Sequence, residues 1–425
     1  MYYKLITHTI LKSVNFVVGK EKTMFNLTKF ISQHVTKRRT SMFSSDIDYN
    51  AEILFSKIKD KSILVIGGAG SIGSSFIKAI LPFKPASLVV VDTNENALAE
   101  LTRDLRSTKG MYVPEDYVTY PMDFASPVFE KMFIKRGGFD IVGNFSAHKH
   151  VRSEKDIYSV EALLQNNVLH AKLLLDLLAE YPPEEYFCVS TDKAANPVNI
   201  MGASKRIMED VIFSYSDKFP VKTARFANVA FSNGSLPAGF LARIQKFQPL
   251  SAPSDVRRYF VSLEESGQIC MLACMLGNNR EIFFPKLEEA QMMTFDAIGT
   301  ALLHEHGYEV LECSSDEEAI DKAEELKNGS KYYPVHYSVS DTSGEKPFEE
   351  FVTDTETADM ERFSSLGVIT GKEIPNQVKV KKLFVDLNEA FAKEETTKEE
   401  VIQIMKEYLP NFEHIETGKS LDSKM

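Results

Sequence analysis

The segment Ser190 to Lys205, STDKAANPVNIMGASK, sets a carboxylic acid, Asp192, directly beside a primary amine, Lys193, and closes on a second amine, Lys205. An adjacent acid and amine can act as an acid–base pair, one giving a proton while the other takes one. The same two residues also read as an ordinary Asp–Lys ion pair in a loop. Thr191 adds a hydroxyl on one side of them. Met201 stands four residues before Lys205, one helical turn away, so the two share a helix face. Methionine cannot ionise, and proton transfer on that face must fall to another group.

Such a pair needs a rigid support and a cofactor beside it. The apolar run Tyr186 to Ser190 supplies a strand that ends just before Thr191. Earlier in the chain, the strand Ile63 to Ile66 runs into GGAGSIG, residues 67 to 73, ahead of the helical pattern Phe76, Ile77, Ile80. Gly67 permits the tight turn, Gly70 lets the backbone approach a pyrophosphate, and Gly73 allows the helix to press on the strand. Ser71 and Ile72 begin a helix whose free N–H groups and dipole favour an anion. A glycine cluster alone is weak evidence. A second strand, Leu88 to Val91, ends at Asp92, nineteen residues after Gly73, where an acid can accept a ribose 2'-hydroxyl. Thr93 and Asn94 follow without a nearby cation, so NAD is favoured over NADP.

Further strands fall at Val118 to Pro121, Ile141 to Phe145 and Tyr186 to Ser190, with a helix over Val160 to Glu180 between the last two. This alternation predicts an α/β protein built on a doubly wound parallel sheet of Rossmann type. Ligands of such sheets lie across the carboxyl ends of the strands, which is where Asp123, Ser146, Ala147 and the Thr191–Lys193 triplet occur. Asp123 is a candidate for the adenine, and Ser146 and Ala147 for the cofactor wall. Asn167 either contributes to the cofactor site or holds a nearby loop. Each reads equally as a turn or cap residue.

GGAGSIG, AHKHV at 147 to 151, STDKA, NPVNIMGASK and RFANVAFSNGS together resemble the extended short-chain dehydrogenases/reductases, over about residues 45 to 290. Within them the chain is most similar to the UDP-N-acetylglucosamine 4,6-dehydratases of polysaccharide synthesis. Reductases of this build normally carry tyrosine where Met201 stands; the MGASK pattern is similar to a methionine-bearing branch. The resemblance implies that hydride leaves sugar C4 for NAD, water is lost across C5 and C6, and the hydride returns to C6. It implies Asp192 as the acid, Lys193 as a neutral base kept so by burial and by Lys205, and Lys205 as the holder of the cofactor ribose. It leaves Thr191, Asp192 or a substrate phosphate to take the O4 proton that Met201 cannot. Lys149, Asn228, Ser235 and Arg258 are the implied substrate contacts, and a homo-oligomer is implied by analogy. A 4-epimerase would need no acid–base pair for water loss, and a non-catalytic NAD-binding protein would not need Lys193.

The 425 residues, 44% apolar and 26% charged, suffice for a large core. A net charge of -11 argues against nucleic acid or an anionic membrane surface as partner. The absence of a long apolar run, of a signal-like leader and of more than four cysteines points to a cytoplasmic protein without a membrane span. Residues 1 to 45 form a basic head, expected to be flexible: a transit peptide, an unstructured arm, or sequence upstream of a start at Met24. Residues 46 to 290 are expected to hold the NAD-binding and catalytic domain with its substrate lobe, opened by an amphipathic helix that buries Ile53, Leu54 and Ile58. Residues 291 to 425 are expected to be an extension with a small α/β appendage: a helix near Phe295 to His304, a strand Glu309 to Cys313, and a helix from Ser315 to Gly329. His304-Glu305-His306 lacks the spacing of a zinc site, and no metal is expected. The segment 338 to 354, SVSDTSGEKPFEEFVTD, carries no assigned role.

Overall fold

A computed structural model describes residues 25–150, 154–340, 346 and 348–415. Residues 1–24 of the basic head, Val151 of AHKHV, and positions 341–345 and 347 of the unassigned segment lie outside the described residues.

Continuous apolar runs build the central sheet, as burial on both faces requires. Its strands in chain order are β1 (Ser62–Ile66), β2 (Ser87–Asp92), β3 (Asp116–Pro121), β4 (Ile141–Asn144), β5 (Glu185–Val189), β6 (Val221–Ala224), β7 (Glu281–Pro285), β8 (Thr357–Asp359) and β9 (Leu366–Thr370). They lie in the order β8-β9-β7-β6-β5-β4-β1-β2-β3. The strands from β7 to β3 run parallel, and β9 and β8 add an antiparallel edge. The expected doubly wound fold is therefore present. Its order reverses between β1 and β4, where such sheets open a ligand crevice at their carboxyl ends.

Helix Ser71–Ile80 leaves β1 and packs on helix Leu263–Leu276. Elsewhere the helical stretch Ile157–Glu180, broken by a wider turn at Gln165–Leu169, packs against helix Ile200–Phe213.

A second lobe has its own core around Phe240, Leu250, Ile298, Leu302 and Tyr333. Its three-stranded parallel sheet takes Glu309–Glu312, Tyr332–Ser338 and Leu250–Pro253. The expected helix and strand of the appendage are found, with Ser315 capping Asp316–Ala323 and Gly329 ending the turn that follows. The boundary expected at 290 is crossed three times: Leu250–Pro253 pairs with Tyr332–Ser338, Arg257–Arg258 with Met293–Thr294, and β9 with β7. Shared strands make the appendage and the substrate lobe one unit.

The head also differs from expectation from residue 25 onward. Phe30, Ile31 and Val35 are buried in the second lobe's core, and Phe43 in the main one. Arg38 makes a two-pronged pair with Glu265, at 2.8 and 2.7 Å, and donates to the Phe260 carbonyl. Apolar residues spaced among the basic ones bind this stretch to the body. The first helix splits into Ser44–Tyr49 and Ala51–Ile58, burying Leu54 and Ile58 while Ile53 faces solvent.

Candidate active site

At the carboxyl end of the sheet a cavity of about 980 Å³ lies between the two lobes. Its floor is the glycine-rich turn: Gly67, Gly70, Ser71, Ile72 and Gly73 all line it. Gly73 is fixed by close approach, since a Cβ there would stand 2.4 Å from the Gly67 carbonyl oxygen. Gly70 caps helix Ser71–Ile80 with no side-chain hydrogen bond, which leaves the first N–H groups facing the cavity mouth.

Asp92 sits at the end of β2 beside this turn, accepting from the backbone N–H groups of Ala69 at 3.0 Å and Asn94 at 2.9 Å. It supports the turn and does not itself line the cavity. Asp123 differs more: it is exposed, accepts from Ala125 N at 2.8 Å, and stays outside the cavity, as a turn residue does. Ala147 lines the cavity, whereas the Ser146 hydroxyl turns to Asn166. Asn167 is a loop holder. Its side chain exchanges hydrogen bonds with the His148 backbone, at 2.9 Å in both directions, and donates to the Ser204 hydroxyl at 3.1 Å.

Thr191, Lys193, Met201 and Lys205 share another wall. Asn199 caps helix Ile200–Phe213 by accepting from Gly202 N at 2.7 Å. A Cβ on Gly202 would come within 2.6 Å of the Lys193 carbonyl oxygen, so glycine here lets the helix press on the turn that bears Asp192 and Lys193. Asp192 Oδ1 accepts from the Thr191 hydroxyl at 2.7 Å, from Lys193 N at 2.9 Å and from Lys193 Nζ at 3.2 Å. Lys205, fully buried, donates to the Val189 carbonyl at 3.0 Å. Burial lowers its pKa, against the opposing pull of Cys188 and Glu209.

Lys193 corrects an expectation. Burial does lower its pKa, but Asp192 and a second carboxylate, Glu349 at 3.6 Å, more than reverse that, and the net direction is upward. Lys193 thus rests as an ammonium, not as the neutral amine expected. Glu349 went unnoticed because it lies 156 positions away in the unassigned segment, where a run of acids alone gives no sign of facing a lysine. Burial raises its own pKa, with Asp192 acting the same way and Lys193 and Arg258 opposing.

Lys149, Asn228 and Ser235 line the cavity. Lys149 Nζ donates to the Asn233 carbonyl at 3.1 Å, and Ser235 caps helix Leu236–Lys246. Arg258 does not reach the cavity: its guanidinium donates to the carbonyls of Arg257 and Lys346 at 2.9 Å and stands 4.0 Å from Glu349. Arg243, unnoticed in the sequence, lines the cavity instead. Among the described residues no cluster of metal-ligating side chains occurs, and no helix is long and apolar enough to cross a membrane.

Residues 63–370, which include the glycine turn, Lys193 on the cavity wall, the buried Asp192 beside it and Glu349, match the family model described as polysaccharide biosynthesis protein. The chain belongs to the polysaccharide biosynthesis protein family. Among its relatives, an uncharacterized membrane protein of Methanocaldococcus jannaschii is 29% identical over 320 residues, 73% of this chain and 86% of that one. The probable polysaccharide biosynthesis protein EpsC of Bacillus subtilis is 29% identical over 59% of this chain, which spans only 42% of EpsC. A UDP-N-acetylglucosamine 4,6-dehydratase (inverting) of Campylobacter jejuni is 26% identical over 53% of this chain and 67% of that enzyme. A UDP-glucose 4-epimerase of Rickettsia massiliae is 27% identical over 68% of this chain and 87% of its own. In fold, the chain is similar to Pen from Bacillus thuringiensis, with a TM-score of 0.60 over 78% of this chain and 98% of that one, at 18% identity.

Proposed function

We propose that this protein is a nucleotide-sugar 4,6-dehydratase acting on UDP-N-acetylglucosamine or a closely related nucleotide-linked N-acetylhexosamine. The observation that carries the reading is the Asp192–Lys193 pair, 3.2 Å apart at the end of β5, with Lys193 and the non-ionising Met201 on one cavity wall. Water loss needs one group to take the C5 proton and one to protonate the C6 hydroxyl. Once the Lys193 ammonium has passed a proton to the Asp192 carboxylate 3.2 Å away, the amine takes the C5 proton and the Asp192 carboxyl protonates the C6 oxygen, so C5–H and C6–O break, a C5–C6 double bond forms, and water leaves.

The residues present fit NAD: the uncapped N–H groups at the start of helix Ser71–Ile80 would receive the pyrophosphate, Asp92 beside the turn would accept a ribose hydroxyl, and Lys205 on the inner wall would hold the ribose. NAD, when bound, supplies a reversible hydride acceptor. Lys149 and Arg243 are the cavity cations suited to the substrate diphosphate, a role the position of Arg258 does not favour.

An epimerase is the second reading, favoured by the Rickettsia relative. It has no use for a proton donor at C6, which Asp192 supplies. Incubating the purified protein with UDP-N-acetylglucosamine and NAD and following sugar mass separates them. A dehydratase removes the mass of one water, whereas an epimerase changes stereochemistry alone. Unchanged sugar across UDP-, GDP- and dTDP-linked substrates would remove both.

A further inference from the structure

The unassigned segment crosses the back of the catalytic turn and is pinned on both sides of one residue. Before Glu349, the Lys346 carbonyl accepts from Arg258 at 2.9 Å and the Lys346 ammonium donates to the Asn196 carbonyl. After it, Glu350 accepts from Asn196 at 2.9 Å, and the Phe351 carbonyl accepts from Arg225 at 2.9 Å. The Phe351 ring stacks on Phe284, the centroids 5.9 Å apart. Farther on, Glu356 takes both Nη atoms of Arg225, at 2.7 and 2.9 Å. Between these anchors Glu349 is 5% exposed, and its Oε1 lies 3.6 Å from Lys193 Nζ.

We infer that Glu349 is a positioning residue for Lys193: it holds the amine at the cavity wall and sets how readily that amine gives up its proton. The inference rests on the dehydratase reading for its consequence in turnover, but not for its electrostatics. Asp192 shares the catalytic turn with Lys193, Glu349 and Lys346 come from the strap, and Arg258 comes from the strand Arg257–Arg258. Two carboxylates thus face the ammonium against Arg258 and Lys346. Both carboxylates raise the pKa of Lys193 and Arg258 lowers it, so losing the Glu349 charge moves Lys193 toward the neutral amine. Asp192 also holds the Lys193 ammonium, at 3.2 Å, but shares that Oδ1 with the Thr191 hydroxyl and Lys193 N, so Glu349 at 3.6 Å supplies the second carboxylate.

The test measures Lys193 itself as well as turnover. The pH dependence of Lys193 acylation by a small amine reagent, read by peptide mass spectrometry in the full chain with NAD present, reports its pKa whatever reaction the protein catalyses. Glu349→Gln is expected to lower that pKa and to move the rising limb of kcat against pH in the same direction. An unchanged Lys193 titration in a folded Glu349→Gln protein overturns the inference. If Glu349→Gln does not fold, Glu349→Asp keeps the charge but withdraws it by one methylene. It is expected to keep the Lys193 titration near wild type while kcat falls about tenfold at unchanged KM. Wild-type kcat in Glu349→Asp also overturns the inference. Absence of dehydration in the wild type, with the Lys193 shift intact, counts against the dehydratase reading alone.

Discussion

Arg225 and Glu209 form a two-pronged ion pair, 2.8 and 2.7 Å, with both side chains wholly withdrawn from solvent. Glu209 also accepts from the Ser190 hydroxyl at 2.7 Å, one residue before the Thr191–Lys193 turn, and Arg225 reaches on to Glu356. One guanidinium therefore links helix Ile200–Phe213, the chain after β6 and the strap that carries Glu349. The carboxylates push the Arg225 pKa upward despite the burial, so the charge persists in the core.

Arg225→Met leaves Glu209 and Glu356 buried without their shared partner. Removing one member of a buried pair typically costs about 3–5 kcal/mol. Urea unfolding followed by circular dichroism checks this, and a loss below about 1 kcal/mol, the scale of exposed pairs, would mean that water reaches the cluster.

Acid should loosen the same cluster. Burial raises the Glu356 pKa, but the Arg225 hydrogen bonds and charge, joined by Lys372, outweigh it and hold it at about 2, below its ordinary 4.5. A depressed carboxylate stabilises fully above its unfolded pKa and loses that contribution as pH falls toward the folded one. The contribution is on the order of 3 kcal/mol, lost between pH 4.5 and 2. Glu356→Gln should be less stable at neutral pH and lose less across that window than wild type. Thermal midpoints measured from pH 6 to pH 2.5 settle the comparison, and parallel curves would contradict it.

Strands, glycine turn and the Asp192–Lys193 pair were legible because each is a local pattern: an apolar run, a spacing, a neighbouring acid and amine. Asp123 and Arg258 misled for the same reason. Position at a strand end or in a recurring motif says which groups are near the site, not which way the side chain turns; Asp123 caps its own turn and Arg258 faces the Lys346 carbonyl. Glu349, Arg243 and the packing of residues 25–45 were illegible because they depend on contacts between distant parts of the chain. The state of Lys193 followed suit, since burial alone points the wrong way once a second carboxylate is brought beside it.

Gly73→Ala should weaken NAD binding by about tenfold or more, as overpacking of a rigid contact typically costs 1–3 kcal/mol. The added Cβ would meet the Gly67 carbonyl at 2.4 Å and the Gly68 Cα at 2.8 Å, both backbone atoms that can yield only by opening the turn. Calorimetric titration with NAD measures the loss. Undiminished affinity in a folded variant would show that the turn does not hold the pyrophosphate.

Lys193→Ala should lower kcat for dehydration by about 10²–10⁴-fold while leaving NAD affinity unchanged, because its Nζ is paired with Asp192 and Glu349 and lies apart from the glycine turn. Single-turnover mass analysis of the sugar checks the first part and calorimetry the second. Residual dehydration near the wild-type rate would transfer the C5 proton to another group.

Met201→Tyr asks who owns the O4 proton. Met201 lines the cavity one turn before Lys205, and its backbone N–H is held by Glu154 at 2.9 Å, so a tyrosine at this position starts from the same backbone. A phenol becomes a useful base only if a neighbouring cation lowers its pKa. Lys205 is the candidate, but its ammonium is already engaged by the Val189 carbonyl at 3.0 Å, and burial disfavours its charge. The added hydroxyl should therefore leave kcat within about threefold of wild type, a barrier change below 1 kcal/mol. The ratio of kcat between the two proteins, taken across pH 6 to 9, decides the matter. A rise of tenfold or more that grows with pH would mean that the wild-type site lacks an efficient acceptor for this proton and that methionine limits the enzyme.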